Sequence, residues 1–315
     1  MVFVLLVLAG CAGAPKTAEA PLDGSLPLDQ GALLYLVADV AQARPLLDLI
    51  GIQGLRPADA AQVLDRTRYA AAALFPPDSG RRIQAAAWGN YPRFGAGFAF
   101  ASDRSWKKRR APGGKSYWYS AARGFSLALS SAQAAAAVAA PGAPPPIPHV
   151  QGPGIELPQG FTAFREGACL ALWMENPAES LDRFLEGLHL PIRIPAEQLM
   201  AGLALISAEP GGAAPQAAGP QTAQAAGPGG AGSLYEIRLR IKTPSEANAR
   251  TLITLFSTAR LFITRSGNQG MDQQTFALLS FLFARRPEQE GAYFMLRSAP
   301  MGEGEIALLF SLFSL

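Results

Sequence analysis

Two similar segments, residues 31–39 and 167–175, place the strongest constraint on the fold of this 315-residue chain. Each begins with Gly-Ala, continues as a run of apolar residues and ends at an acidic residue, a pattern that predicts a buried β-strand. An amphipathic stretch follows each segment, at residues 45–51 and 181–187, and stops at a glycine, the usual residue after the last turn of a helix. The chain therefore contains two matching strand–helix beginnings.

The similarity extends beyond these beginnings and predicts an internal duplication, with copies at residues 31–140 and 161–315. Each copy is predicted to be a strand–helix–strand–strand–helix–hairpin unit. Short turns between sequential strands favour an α+β architecture, with a mostly antiparallel sheet and helices on one face. Two such copies can build one continuous sheet or two facing sheets, and the sequence leaves both open. The later strands and closing hairpins correspond at residues 69–75 and 201–207, 83–91 and 234–242, and 117–129 and 293–309.

Two segments of low complexity interrupt this pattern. Residues 141–160 are rich in Pro and Gly and join the two copies, so they are predicted to be an inter-repeat linker. Residues 210–232 consist almost entirely of Ala, Gly, Pro and Gln, a composition that cannot bury enough apolar surface to fold. Because the first copy has only a short turn at the corresponding place, this second segment is predicted to be a disordered loop within copy two.

The N-terminus carries an apolar segment followed by a cysteine. Residues 2–9 are all apolar and lead into Gly10 and Cys11. The sequence Leu8-Ala9-Gly10-Cys11 resembles the lipobox of bacterial lipoproteins, in which small residues precede the cysteine that accepts the lipid. The chain is therefore expected to be a lipoprotein of this kind, although the family of its folded part is not recognised.

The resemblance implies that residues 1–10 are a signal peptide, cleaved before Cys11, and that acyl chains such as palmitate are attached at Cys11. Residues 11–30 are then the acylated cysteine and a flexible tether, and the folded part lies in the bacterial cell envelope. The signal peptide is short and lacks Lys and Arg, which predicts that the true translation start lies upstream. Ala12, rather than Asp, favours the outer over the inner membrane by resemblance to enterobacterial sorting.

The sequence offers no convincing catalytic or metal-binding pattern. Its two histidines are far apart, and no Cys-x-x-Cys spacing occurs, so neither a metal site nor a cofactor is predicted. Residues 113–116 are similar to the end of a phosphate-binding loop, but Arg109 stands where that motif requires glycine. Ser126 lies in a near match to the Gly-x-Ser-x-Gly elbow, yet within a predicted strand instead of a strand-to-helix turn. We therefore predict that the protein is not an enzyme.

Basic and aromatic residues are concentrated at residues 104–123. Cations attract anionic headgroups, and Trp and Tyr suit the edge of a bilayer, so this stretch is predicted to contact a membrane surface or another polyanion. The alternative is a solvated hairpin whose aromatic residues pack inward and whose charges keep the sheet edge soluble. Nucleic acid is not expected as the partner of an envelope protein. The candidate contact residues are Trp106, Lys107, Lys108, Arg109, Arg110, Lys115 and Trp118.

The second half also contains two strongly apolar amphipathic helices. Their apolar residues recur at helical spacing but spread beyond one narrow face. Such helices either form ordinary core or leave a lipid-binding cavity or membrane-inserting surface. The candidate hydrophobic ligand contacts are Leu252, Leu255, Phe256, Phe276, Leu279 and Phe283.

These features predict a lipid-anchored envelope protein with a non-catalytic binding role, directed at a lipid ligand or a membrane surface. The alternative is a structural or assembly lipoprotein that acts through another envelope protein.

Overall fold

The structure is a computed structural model that describes most of the chain. The predicted signal peptide, Cys11, the first part of the predicted tether and the predicted loop at residues 210–232 lie outside the described residues. The described ranges are residues 25–50, 57–91, 93–111, 114–130, 132–140, 142–143, 146–148, 154–187, 193–206, 233–266 and 273–313.

Twelve strands form one sheet in the order β13-β14-β12-β11-β10-β2-β3-β4-β8-β7-β6-β5, and β1 and β9 form a separate two-stranded ladder. Every neighbouring pair in the large sheet is antiparallel, which confirms the predicted α+β class with a mostly antiparallel sheet. The strands are β1 (Ser25–Leu26), β2 (Leu34–Asp39), β3 (Thr67–Leu74), β4 (Arg81–Gly89), β5 (Lys107–Arg110), β6 (Ser116–Ser120), β7 (Phe125–Leu129), β8 (Gln133–Ala139), β9 (Ile155–Glu156), β10 (Ala168–Glu175), β11 (Gln198–Ile206), β12 (Leu234–Lys242), β13 (Glu288–Glu290) and β14 (Tyr293–Arg297).

Helices connect many of these strands, and a short 3₁₀ turn at Pro77–Ser79 links β3 to β4. The described α-helices are α1 (Val40–Ile50), α2 (Pro57–Arg66), α3 (Arg93–Ser102), α4 (Phe161–Arg165), α5 (Ala178–Gly187), α6 (Glu246–Ser266), α7 (Gln273–Leu282) and α8 (Glu303–Phe313).

The two halves of the chain meet at the centre of the sheet. Strand β2 from the first half pairs with β10 from the second, with Leu36 opposite Leu172 and Tyr35 opposite Trp173. The strands therefore build one continuous sheet and not two facing sheets, which decides between the two arrangements that the sequence left open.

One surface of the sheet, here called the aromatic face, carries Tyr35 and Trp173. Their rings stack with centroids 4.2 Å apart, and Phe161 of α4 packs on Trp173 at 5.0 Å. The ladder of β1 and β9 lies in the same cluster, where it buries Leu26 and Ile155. Among the described residues, one short helix and one short strand pair therefore cover this cluster.

The folded part begins inside the range predicted for the tether. Residues 25–26 form β1, and Leu28 is fully buried in the aromatic-face cluster. Likewise β9 lies inside the predicted linker at residues 141–160. Apolar residues in these Pro- and Gly-rich stretches thus cover the sheet, because residues with extended backbones can still bury their side chains.

The opposite surface, here called the aliphatic face, carries Leu36 and Leu172 and receives all the other described helices. Leu252 of α6 packs in a cluster with strand residues Ile241 and Phe294. The remaining helix contacts involve Leu46 of α1, Leu64 of α2, Phe100 of α3, Leu181 of α5, Phe281 of α7 and Ile306 of α8. The prediction of helices on one face therefore holds for the described helices except α4.

One predicted strand is wrong. Residues 306–309 were expected to close a hairpin with β14, but they belong to helix α8. Glu303 and Glu305 occupy the first turn of this helix, where carboxylates are favoured by the helix dipole. A short apolar run is compatible with either a strand or a buried helix, so its hydrophobicity alone could not identify the element.

Candidate functional site

Cross-strand rows of apolar side chains run along the aliphatic face. Residues directly opposite one another in neighbouring strands point to the same face. The rows therefore continue from strand to strand across the centre of the sheet. One row contains Leu172, Leu36, Ala72, Ala85, Ala136 and Leu127, and the next contains Leu34, Leu74, Ile83, Val138 and Phe125.

The part of these rows between β2 and β8 is only partly covered and is here called the apolar floor. Leu74 is 41% exposed and Ile83 is 37% exposed, and the other members are half-buried. All members are aliphatic, and the several alanines make the surface smooth and shallow. The apolar floor consists of Leu34, Leu36, Ala72, Leu74, Ile83, Ala85, Ala136 and Val138.

Packed helices border the apolar floor on three sides. At one end, Val40 of α1 and Leu64 of α2 cover the next row, at Ala38 and Ala70. On the β10 side, Leu172 and Met174 pack against the cluster of α5 and α6. On the β7 side, Phe100 of α3 packs in a cluster that includes Ala136. The result is a shallow apolar recess whose base is strand and whose borders are helices.

The predicted hydrophobic contacts belong largely to the core. Leu252 is 1% exposed and Leu279 is 8% exposed, while Leu255 and Phe276 are half-buried. The Phe256 ring lies 4.7 Å from that of Phe294 and 5.3 Å from that of Phe283. The structure thus brings Leu252, Leu255, Phe256 and Phe283 together, packed on strands at one border of the apolar floor.

Sequence reasoning missed the apolar floor itself. Its strands contain the alanine runs at residues 70–73, 85–87 and 134–137. Alanine contributes little to a hydrophobicity pattern and is common in ordinary cores, so these runs indicated only strand. The available signal was the repeated use of alanine in three strands that are neighbours in the sheet.

The predicted basic and aromatic contact residues divide into two groups. All four residues of β5, from Lys107 to Arg110, are exposed at the edge of the sheet, and Lys115 is exposed nearby. Trp106 is only 6% exposed, and its ring lies 4.8 Å from that of Phe100. Trp118 is half-buried, also against Phe100, at 5.5 Å. The cations therefore lie at an edge of the sheet, and the two tryptophans pack against Phe100 of α3.

Ser126, considered above as a nucleophile, and Cys169 are both buried in the sheet. Ser126 is fully buried within β7, and its hydroxyl has no hydrogen-bond partner there. Cys169 is also fully buried, its thiol donates to the Leu203 carbonyl oxygen at 3.1 Å, and burial raises its pKa to about 11. A neutral thiol is a poor nucleophile, so Cys169 packs as a small apolar residue.

Metal-binding clusters and membrane-spanning helices are both absent from the described residues. Within these ranges, no three His, Cys, Asp or Glu side chains are grouped closely enough to hold a metal ion. None of the helices in the same ranges has both the length and the apolar character needed to cross a membrane.

Comparison with known proteins gave structural matches only. No protein-family model matches the chain, and no curated protein matches it. Crystal form III of TP0453, a lipoprotein-like protein of Treponema, aligns with a TM-score of 0.54 and 15% identity, over 92% of this chain and 98% of that one. Crystal form I of the same protein aligns with a TM-score of 0.52 and 17% identity, over 94% and 100%. At this identity the likeness concerns the fold alone, so the chain shares its overall fold with TP0453.

Proposed function

We propose that this protein is a non-catalytic, lipid-anchored protein of a bacterial cell envelope that binds lipid acyl chains on the apolar floor. The observation that carries the proposal is the partial exposure of a continuous aliphatic surface, including Leu74 and Ile83. The lipobox resemblance at Cys11 supports the anchor, with the Cys11 thiol as the acceptor for diacylglycerol. The shared fold with TP0453, an envelope-associated protein, supports the location.

The apolar floor suits an acyl chain better than a polar or compact ligand. It spans β2, β3, β4 and β8, which is three interstrand spacings or roughly 14 Å. Transfer of methylene groups from water to such a surface contributes about 0.8 kcal/mol for each group that is fully buried. Alanines allow the chain to lie close to the backbone, and the absence of polar side chains among the eight floor residues leaves no directional contact for a polar ligand.

The bordering helices are the proposed walls of this site. Leu255 and Phe256 of α6 belong to the cluster that adjoins the floor at Leu172 and Met174. Movement of α6 away from the sheet would widen the recess, and binding of a chain would compensate for the lost core contacts. The six apolar residues predicted from the sequence are also proposed as ligand contacts of the widened site.

The test is native mass spectrometry of the full chain, stripped of lipid in detergent and then incubated with palmitic acid or phosphatidylethanolamine. We expect a discrete adduct that survives native ionisation and is lost on denaturation, which separates it from a lipid attached at Cys11. The double variant Leu74→Gln/Ile83→Gln should lower adduct occupancy at least about fivefold, since polar groups would replace two apolar contacts.

The matched control is Leu33→Gln/Leu234→Gln. These two residues are 44% and 37% exposed, similar to the floor pair, but they lie outside the apolar floor. The control variant should keep the adduct of the unchanged chain. Equal losses in both variants, or no adduct with either probe, would show that the floor is not a lipid site.

The second candidate function is assembly through a protein partner. Opposite charges on the two edge strands of the large sheet favour it, because they make the edges complementary to each other.

A further inference from the structure

The two edges of the large sheet carry charges of opposite sign. Strand β5, Lys107–Arg110, consists of four cationic residues, and strand β13, Glu288–Glu290, is Glu-Gln-Glu. All seven residues are exposed. An edge strand presents backbone N–H and C=O groups that can pair with another strand, and charged side chains decide which strands are accepted.

Strand direction at the two edges is compatible with pairing between copies. All neighbouring pairs in the twelve-stranded sheet are antiparallel, so the first and twelfth strands run in opposite directions. A second copy that extends the sheet beyond β5, with its aromatic face on the same side and rotated to follow the sheet twist, therefore presents its β13 antiparallel to the first copy's β5. An odd number of strands would have made that pairing parallel.

The charged side chains also lie on matching faces. One unbroken cross-strand row on the aromatic face starts at Glu288 of one edge and ends at Lys107 of the other. Glu290 and Arg109, two residues along each strand, point to the same face. The row contains Glu288, Met295, Arg240, Met200, Trp173, Tyr35, Ala73, Gln84, Ala137, Ser126, Tyr119 and Lys107.

We propose that copies of this protein associate head to tail through antiparallel pairing of β5 of one copy with β13 of the next. The charges select a register with Glu288 opposite Arg109 and Glu290 opposite Lys107. By the same numbering Arg286, just before β13, falls opposite the uncharged Ala111, just after β5. Two opposite-charge pairs then form on one face.

The existing contacts of β13 leave this pairing available. Glu290 approaches Arg240 of its own copy at 3.7 Å, but its side chain remains 67% exposed. Gln289 donates to the carbonyl oxygens of Glu246 and Gly291, which holds β13 against the start of α6. The acidic edge is thus fixed in place while its carboxylates stay in solvent.

The same charges disfavour pairing between two identical edges. Pairing of β5 with β5 places cations opposite cations, and pairing of β13 with β13 places carboxylates opposite carboxylates, both of which are destabilising. Only the unlike edges attract, so the interface joins two different patches. An interface of this heterologous kind extends into a ring or an open filament instead of stopping at a dimer.

The contact is tested by zero-length carbodiimide coupling, which joins an amine to a carboxylate only when they form a close ion pair. The full chain in neutral detergent at low salt is mixed one to one with ¹⁵N-labelled chain, coupled, digested and analysed by mass spectrometry. We expect mixed-isotope cross-links that join Lys107 or Lys108 to Glu288 or Glu290. The same cross-link within one copy is not expected, because eleven interstrand spacings, roughly 50 Å, separate the edges.

Charge reversal tests the interface by sedimentation velocity. Lys107→Glu/Arg109→Glu and Glu288→Lys/Glu290→Lys should each weaken association at least about fivefold, since two attractive pairs become repulsive. An equimolar mixture of the two variants should associate again, because each then offers edges complementary to the other. Arg68→Glu/Arg82→Glu, which makes the same charge change at exposed sites away from both edges, should associate like the unchanged chain.

Three results would overturn the proposal: no mixed-isotope cross-link, association that survives either reversal, or a variant mixture that stays monomeric. The Lys107→Glu/Arg109→Glu variant is also assayed on vesicles with and without phosphatidylglycerol. Loss of binding to the anionic vesicles alone, with association unchanged, would assign β5 to the membrane surface and contradict edge pairing. None of these results depends on the apolar floor.

Discussion

The position of Cys169 in the fold makes its thiol unreactive. It lies at a bulge in β10, where the register with β11 shifts between Ala168 and Leu170. The bulge places its side chain in the cluster with Leu46 and Tyr235. The thiol is fully buried there and donates its hydrogen bond to a backbone carbonyl. Burial therefore favours the neutral form of this group.

The thiol of Cys169 should resist alkylation in the folded protein. Its pKa is raised from 9.0 to about 11, mainly by desolvation, so the thiolate fraction at pH 8 falls about a hundredfold. We expect iodoacetamide at pH 8 to leave Cys169 unmodified in the native chain and to modify it fully in guanidinium chloride, as measured by peptide mass spectrometry. Rapid modification of the native protein would contradict the burial of this residue.

Single residues also show what the sequence could and could not predict. The cations of β5 were predicted to contact a membrane surface or another polyanion, with a solvated sheet edge as the alternative. They are exposed at the edge of the sheet, because charge alone excludes them from a core. Trp106 was expected beside them as a surface contact or packed inward, and the structure packs it against Phe100. Which side of a hairpin faces a helix depends on the position of α3, and that position is not encoded in the hairpin itself.

At the scale of elements, the junction between α2 and β4 depends on a glycine. Gly89 ends β4, and a Cβ atom built there would overlap the carbonyl oxygen of Arg66 at the end of α2. That same carbonyl oxygen accepts a hydrogen bond from the Asn90 N–H at 2.9 Å. The close approach of helix and strand is therefore possible only without a side chain at position 89.

Alanine substitutions at two glycines should have opposite effects on stability. Gly89→Ala should lower the free energy of unfolding by about 1–3 kcal/mol or more, because backbone must move to admit the Cβ atom. Gly97→Ala, inside α3 with open space around the new Cβ, should raise it by about 0.5–1 kcal/mol through helix propensity. Urea denaturation measures both values. A neutral Gly89→Ala variant would show that the helix–strand contact is looser than described.

The sequence predicted helices and strands best where the apolar pattern agreed with the residues that end an element, such as glycine. The strands at residues 31–39 and 167–175 are β2 and β10, each followed by an amphipathic helix. Strand β8, which inserts between β4 and β7, was not anticipated, because its run of alanines carries no alternation. Helix α8 was predicted as a strand, because a hydrophobic run this short shows neither the helical nor the strand periodicity clearly. The correspondence of the two halves as copies of one unit stays a prediction.

At the scale of the whole molecule, the pairing of β2 with β10 gives the two halves a common core. The aromatic-face cluster contains Tyr35 and Trp88 from the first half and Trp173 and Met200 from the second. A single sheet leaves one broad aliphatic face, and the described helices leave the part of it between β2 and β8 only partly covered. The proposed lipid site is thus a consequence of topology: the sheet is wider than the helices that pack on it.

The same topology produces the two complementary edges. An open sheet must end in two strands, and here each end carries charges that repel its own kind. A lipid anchor at Cys11, as proposed, would hold copies on one membrane and raise their local concentration, which strengthens a weak edge contact without adding new contacts. Lipid binding on one face and association through the edges use separate surfaces and are compatible in one molecule.

The most direct test of the central claim is photo-cross-linking of the full chain with a diazirine analogue of palmitic acid, followed by peptide mapping. We expect adducts in β3, β4 and β8, around Leu74, Ile83 and Val138, together with the bordering helices α3 and α6. Unmodified palmitic acid in excess should suppress these adducts. Adducts confined to the aromatic-face cover at residues 155–165, or labelling that excess palmitic acid does not suppress, would contradict a lipid site on the apolar floor.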